Sequence, residues 1–166
     1  SLRSGSTSEV WKDAVAYLGI VDGRYVMARN ERGFVLVDGL RCERERLRGH
    51  LARALENGGI RSRSLLVPAP MALQPGWAEL AGGEEVSRYG VEIEPLGPDT
   101  AALRRVPGVL GSDSGAVALA EGLLGRLRQG CSPEQIIAFV AQSVAGPLEP
   151  EAGKRLLAAL GRGELR

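Results

Sequence analysis

Histidine is almost missing from this chain of 166 residues, His50 being the only one. One imidazole cannot build a zinc site or a Ser/His/Asp triad without distant partners. His50, beside Leu51 on a predicted helix, therefore reads as a surface or boundary residue. Cysteine is nearly as scarce. Cys42 and Cys131 are too few for a disulfide framework and lack metal-ligand spacing, so both read as reduced thiols packed as small hydrophobes. Aromatic residues make up only 4%, which points to an interior of Ala, Leu and Val. Neither sign of charge dominates, since 21 Lys and Arg face 20 Asp and Glu for a formal net charge of +1. That balance argues against a nucleic-acid-coating domain and against an electrostatic membrane anchor, though not against a local basic patch. No apolar run approaches the ~18 residues of a membrane span, and no signal-peptide pattern opens the chain. No membrane partner and a cytoplasmic location are expected.

What is present is a hydrophobic content of 44%, enough for a real core in one domain or two small interlocked lobes. Residues 1–10 are Ser/Gly-rich and read as a flexible linker. "AVAYLGIV", "RYVMAR" and "FVLVD" are short β-branched and aromatic runs separated by Asp22-Gly23 and by Asn30 to Gly33. These separators are hairpin turn chemistry, so the three runs predict an antiparallel meander. A helix is predicted from Glu43 to Asn57, with Leu47, Leu51 and Leu55 as its apolar stripe and Gly58-Gly59 as its stop.

"SLLVPAPMAL" reads as a further strand, confined by Pro68 and Pro70 to an edge or a crossing between lobes. A short, glycine-interrupted helix and two strands around "GPD" follow. Ser112 or Asp113 is expected to cap a helix running to about Gln129. Ser132, Pro133 and Gln135 have the spacing of a capping box for the next helix, whose apolar face is Ile136, Ile137, Val140 and Val144. The last helix starts at Pro150 and turns Leu156, Leu157 and Leu160 inward. The proline-rich crossing at Pro68 to Pro70 and the break at 129–133 suggest a central lobe inserted between two halves of an outer one.

Three residue groups carry potential chemistry. Asp38 ends a strand, a suitable place for a metal ligand, and Glu43 and Glu45 lie one turn on. Yet Arg41, Arg44, Arg46 and Arg48 crowd the same turns and oppose a cation, so Asp38 reads as a strand-to-helix corner and the glutamates as local partners of the arginines. Arg41, Arg44 and Arg48, with Arg53, Arg61 and Arg63, could meet phosphate, which makes Arg41, Arg44 and Arg48 the DNA-contact candidates; no aromatic stacking platform accompanies them. "GSDSG" at Gly111 to Gly115 lacks the Lys-Ser/Thr of a phosphate loop and reads as a capping turn.

Laid end to end, "YLGIVDGRYVMARNERGFVLVDGLRCERE", "LLVPAPMAL", "YGVEIEPLG", "LRRVP" and "IIAFVAQSVAGPLEPEAGKRLLAAL" resemble the C-terminal domain of the MutL family of DNA mismatch-repair proteins, from about Val15 to Leu160. The resemblance implies a homodimerising α+β module. Its dimerisation lobe comes from both chain ends, here 11–67 and 131–166, and a smaller regulatory αβ lobe, here 68–130, is inserted between them. It also implies a tethered N-terminal ATPase of the GHKL type that uses ATP and Mg, with no cofactor or metal expected in this domain itself. Family partners would be a MutS-like mismatch sensor and a sliding clamp, on a nucleoid-associated, cytoplasmic, bacterial protein.

Many members are metal-dependent nicking endonucleases with a D-Q-H-A-x-x-E motif and a second Glu five residues later. Only Asp38 matches without gaps: Gly39, Leu40, Arg41, Arg44 and Gly49 stand at the other positions, and a one-residue slip rescues only Glu45. The A-C-R-like motif becomes Ala141-Gln142-Ser143, and no C-P-H-G-R-P follows before Arg166. The resemblance is thus to the branch without nuclease activity, and no catalytic residue is assigned. The family's clamp-binding pattern Q-x-x-L/I-x-P falls on Arg63 to Pro68. Leu66 and Pro68 are kept and Arg63 replaces the glutamine, so docking should be weakened and an ordinary buried strand is favoured.

The expected interface carriers are Val15, Tyr17, Tyr25 and Val35 on the early strands, with Ile137, Val140, Leu156 and Leu160 on the closing helices. Two alternatives are a rearranged nicking site around Asp38 and Glu45, and an unrelated α/β ligand-binding domain. Plasmid nicking with manganese would support the first, and a persistent monomer the second.

Overall fold

The computed structural model of the chain describes residues 15–161, so the linker read over 1–10 and the first residues of the outer lobe lie outside it. Strands β1 (Ala16–Val21), β2 (Tyr25–Asn30) and β3 (Gly33–Asp38) form an antiparallel sheet in the order β1-β2-β3, as the turn chemistry predicts. Asp22 and Gly23 both take positive φ in the three-residue connection between β1 and β2, a backbone whose twist matches the right-handed twist of the flanking strands. Helix α1 (Gly39–Glu56) follows without a loop. Next come the long β4 (Ser62–Ala72), two short helices, α2 (Ala78–Ala81) and α3 (Glu84–Arg88), and strands β5 (Glu92–Pro95) and β6 (Thr100–Pro107). The second sheet is antiparallel in the order β4-β6-β5, which leaves proline-bearing β4 on an edge. Helices α4 (Ala116–Arg128), α5 (Pro133–Val144) and α6 (Pro150–Gly161) close the described chain. The architecture is α+β.

The chain divides into two compact units. One joins residues up to Arg46 with those from Gly146 onward; the other is continuous from Leu47 to Ala145. These limits differ from the lobes read at 67/68 and 130/131. The reason is pairing: β4 pairs with β6 on both sides of residue 67/68, at Ser62 to Ser64 and at Ala69 to Ala72, and Ile136, Ile137, Val140 and Ala141 of α5 lie in the same core as Leu119, Leu123 and Leu124 of α4.

In the first unit, Val26 and Ala28 of β2 are buried with Leu148 and with Leu156, Leu157 and Leu160 of α6. Fully burying each such leucine stabilises by about 1.5–3 kcal/mol. The Asp22-Gly23 turn is fastened from two sides: the Leu148 amide donates to the Gly23 carbonyl at 2.7 Å, and the Leu40 amide to that of Arg24 at 3.1 Å.

In the second unit, the capping box is formed. The Gln135 amide donates to Ser132 Oγ at 3.2 Å, and the Ser132 amide donates to Gln135 Oε1 at 2.9 Å. The cap expected at Ser112 or Asp113 is not. Helix α4 begins after Gly115, which adopts φ 78° and offers no side chain; Ser112 Oγ accepts from the Ser114 amide instead, and Asp113 turns to β4.

Candidate functional site

The Asp38 corner is fully accounted for by local partners. Helix α1 starts at Gly39, four residues before the sequence pattern places it, because Asp38 caps it: Oδ1 accepts from the Arg41 amide at 3.1 Å. The Arg24 guanidinium donates to both carboxylate oxygens, the shortest contact being 2.8 Å. Arg24 first, and the Arg41 amide with it, hold the Asp38 carboxyl below the usual carboxylate range against the opposing effect of partial burial. Glu43 pairs with Arg46 at 2.6 Å. Among the described residues no three of His, Cys, Asp and Glu form a group able to hold a metal ion. A divalent cation at Asp38 would have to displace a guanidinium that already occupies both oxygens.

Of the other chemistry-bearing residues, His50 is exposed. Both cysteines are free; Cys42 packs against the first core and Cys131 against the second. Arg41 and Arg48 are exposed, whereas Arg44 is half-buried with a buried Nε that has no hydrogen-bond partner. Arg63 points to Leu110 and Asp113.

Most expected interface carriers are interior. Ile137 and Val140 belong to the second core, Leu156 and Leu160 to the first, and Val15, Tyr17 and Val35 pack against the first. Val140 is 0% exposed. Only Tyr25 faces the other side of the first sheet. The register joins Val21, Tyr25 and Asp38 in one cross-strand row, Gly19, Met27 and Leu36 in the next, and Ala16, Arg29 and Phe34 in the third. Cross-strand neighbours share a face, and this is the face opposite buried Val26 and Ala28. Phe34 is 62% exposed and Leu36 48%, and Val21 and Leu18, at the β1 bulge, are exposed too. Exposed apolar side chains thus gather on this one face of the first sheet.

Their exposure had a signal in the sequence. Phe34-Val35-Leu36-Val37 is apolar at every position, so both faces of β3 seek cover; α6 covers one.

The edge of the second sheet carries another exposed apolar group. Between Ser64↔Arg105 and Ala69↔Leu103 the register slips, leaving Leu65, Leu66, Val67 and Pro68 opposite Arg104 alone. This extended bulge throws the segment off the ladder. Leu65 stays buried, but Leu66 is 94% and Val67 75% exposed, and Pro68 is exposed as well. The ordinary buried strand expected here is therefore a projecting knuckle. No described helix is long and apolar enough to cross a membrane.

Comparison with known proteins agrees with this architecture. The family model described as "MutL C terminal dimerisation domain" matches residues 18–149. The chain is 38% identical over 96 residues to the DNA mismatch repair protein MutL of Azotobacter vinelandii, a match covering 56% of this chain and 15% of that protein. It is also 38% identical over 98 residues to its namesake in Pseudomonas paraeruginosa, with the same coverage. To that of Rhodopseudomonas palustris it is 31% identical over 96 residues, 56% of this chain and 16% of the relative. The aligned part is thus a small share of each relative's length. With the match running through both sheets and five of the six described helices, the chain belongs to the MutL C-terminal dimerisation domain family.

Proposed function

We propose that this chain is the self-pairing module of a longer mismatch-repair protein and that it pairs through the open face of its first sheet. The carrying observation is the exposure of Phe34 and Leu36 beside Leu18, Val21, Tyr25 and Met27 on a sheet already covered on its other side. A second copy of the same face is the natural cover, because a two-fold axis brings one apolar patch onto itself. An obligate contact of this type buries about 2,000 Å² or more. Paired modules would keep two tethered ATPase heads, which use ATP and Mg, at an effective concentration of about millimolar for short linkers, so that the heads close as a pair on DNA after a MutS-like sensor has met a mismatch. The Arg24 lock on Asp38 supports a role without nicking chemistry in this domain, with Arg41, Arg44 and Arg48 available only for weak phosphate contact.

Sedimentation of the chain tests the pairing. A dimer at tens of micromolar that becomes a monomer on Phe34→Glu or Leu36→Glu, with unchanged circular dichroism, supports it. A wild-type monomer at that concentration, or variants that remain dimeric, overturns it.

The projecting knuckle supports a second contact, with a sliding clamp. Leu66 and Pro68 keep the family's spacing, and nearly complete exposure of Leu66 leaves it free to enter an apolar cleft. Arg63, in place of glutamine, is turned back into this chain's own fold, which weakens the contact relative to a glutamine-bearing relative.

A further inference from the structure

The knuckle is held by a clip that spans the second unit. Arg63 Nη1 donates to Asp113 Oδ1 at 2.7 Å, and the Leu66 amide donates to Asp113 Oδ2 at 3.3 Å. One carboxylate therefore bridges the residue before the bulge and the residue at its crest. Arg63 Nε also donates to the Leu110 carbonyl at 2.9 Å, so the loop ahead of α4 and the edge of β4 are tied at three points, while Nη1 lies 3.4 Å from the Ser64 carbonyl of its own strand. Below the crest, the side chain of Leu65 is buried, and beyond it Ala69 rejoins the ladder opposite Leu103.

Without the clip, Leu65 to Pro68 would be a slack loop of an edge strand. Its ordering would then fall on the binding partner, at the expense of affinity. Hydrogen bonds to a charged acceptor contribute more than neutral ones, and here both carboxylate oxygens act on the same segment. Asp113 has no competing duty as a helix cap, since Gly115 stands at that position and the α4 start takes no side-chain bond. Arg63 likewise pairs with no other acid among the described residues.

We propose that Asp113, acting with Arg63, is a positioning residue that presets the projecting Leu66–Pro68 knuckle for docking into the apolar cleft of a sliding clamp. The proposal rests on the clamp-docking reading above and adds to it a residue outside the docking segment, on a different element of the unit.

The test compares the full chain with its Asp113→Ala and Leu66→Ala variants. It follows amide hydrogen exchange at Leu66 and binding to a purified bacterial sliding clamp, with circular dichroism as the folding control. The expected result is faster exchange at Leu66 and about tenfold weaker clamp binding in Asp113→Ala, with a larger loss in Leu66→Ala and unchanged secondary structure in both. Unchanged Leu66 exchange in Asp113→Ala overturns the clip. Faster exchange with wild-type clamp affinity overturns the positioning role and leaves docking intact. A wild-type chain that binds no clamp, or a Leu66→Ala variant that binds as tightly as wild type, sinks the docking reading, and the positioning role falls with it.

Discussion

The ring of Phe139 on α5 occupies the space where a side chain of Gly122 on α4 would begin. A β-carbon there would stand 3.0 Å from both Cε atoms of the ring, and the Arg126 guanidinium, one turn on from Gly122, lies 3.6 Å from the ring centroid. Two helices of the second unit thus approach through a notch that only glycine leaves open. Gly122→Ala should destabilise the chain by about 1–3 kcal/mol through overpacking, read as a lower urea midpoint. Phe139→Ala should remove most of that penalty in the double variant, because the clash is pairwise; additive losses would show that the notch is not the cause.

Asp38 makes a second expectation specific. Its pKa is lowered in the folded state, chiefly by Arg24, so the unfolded chain binds its proton more readily. The stability it confers is present above the unfolded carboxylate value of about 4 and is lost as pH falls through the lower folded value. Asp38→Ala should cost about 1 kcal/mol at pH 7 for the lost cap. It should also flatten the acid side of the stability profile below about pH 4. Denaturant titrations from pH 2.5 to 7 check this, and an unchanged acid limb would contradict it.

Ile137 was one of the residues that the sequence pattern offered as an interface carrier, and it lies in the core of the second unit. Ile137→Ala should therefore cost about 2–5 kcal/mol in stability while leaving the association constant, measured where the variant is folded, as in wild type. Phe34→Ala should show the reverse: a weaker dimer with little effect on the denaturation of the dissociated chain. Both measurements come from concentration-dependent denaturation.

Cys42 supplies a chemical probe. Burial first, and the neighbouring Asp38 charge second, push its thiol above the ordinary cysteine range. At pH 8 it should react with iodoacetamide more slowly in the folded chain than in urea, since only the thiolate attacks. Mass spectrometry of the Cys42 peptide at timed quenches would show it, and equal rates in the two states would contradict the burial.

The meander of β1 to β3, the capping box at Ser132 and Gln135, and the inward leucines of α6 were legible because each is encoded within a few residues of chain. The Asp38 corner was legible for the same reason, although Arg24, its main partner, lies across a hairpin. What escaped was non-local. Arg63 and Asp113 meet across 50 positions, so Asp113 looked like a helix cap. The slip of β4 against β6 cannot be seen in either strand alone, so Leu66 and Val67 looked buried. Core and open face were confused because leucine, valine and phenylalanine serve both, and only the register of the first sheet divides Val35 from Phe34 and Leu36.

The discontinuous first unit has a consequence for how the protein is made. Its sheet is translated first, but the helix that covers that sheet, Pro150–Gly161, comes more than a hundred residues later. The continuous unit from Leu47 to Ala145 can close on itself in the meantime, as segments generally do while emerging from the ribosome. The covered side of the first sheet therefore stays bare until Pro150–Gly161 has left the ribosome and brought Leu156, Leu157 and Leu160 back onto Val26 and Ala28.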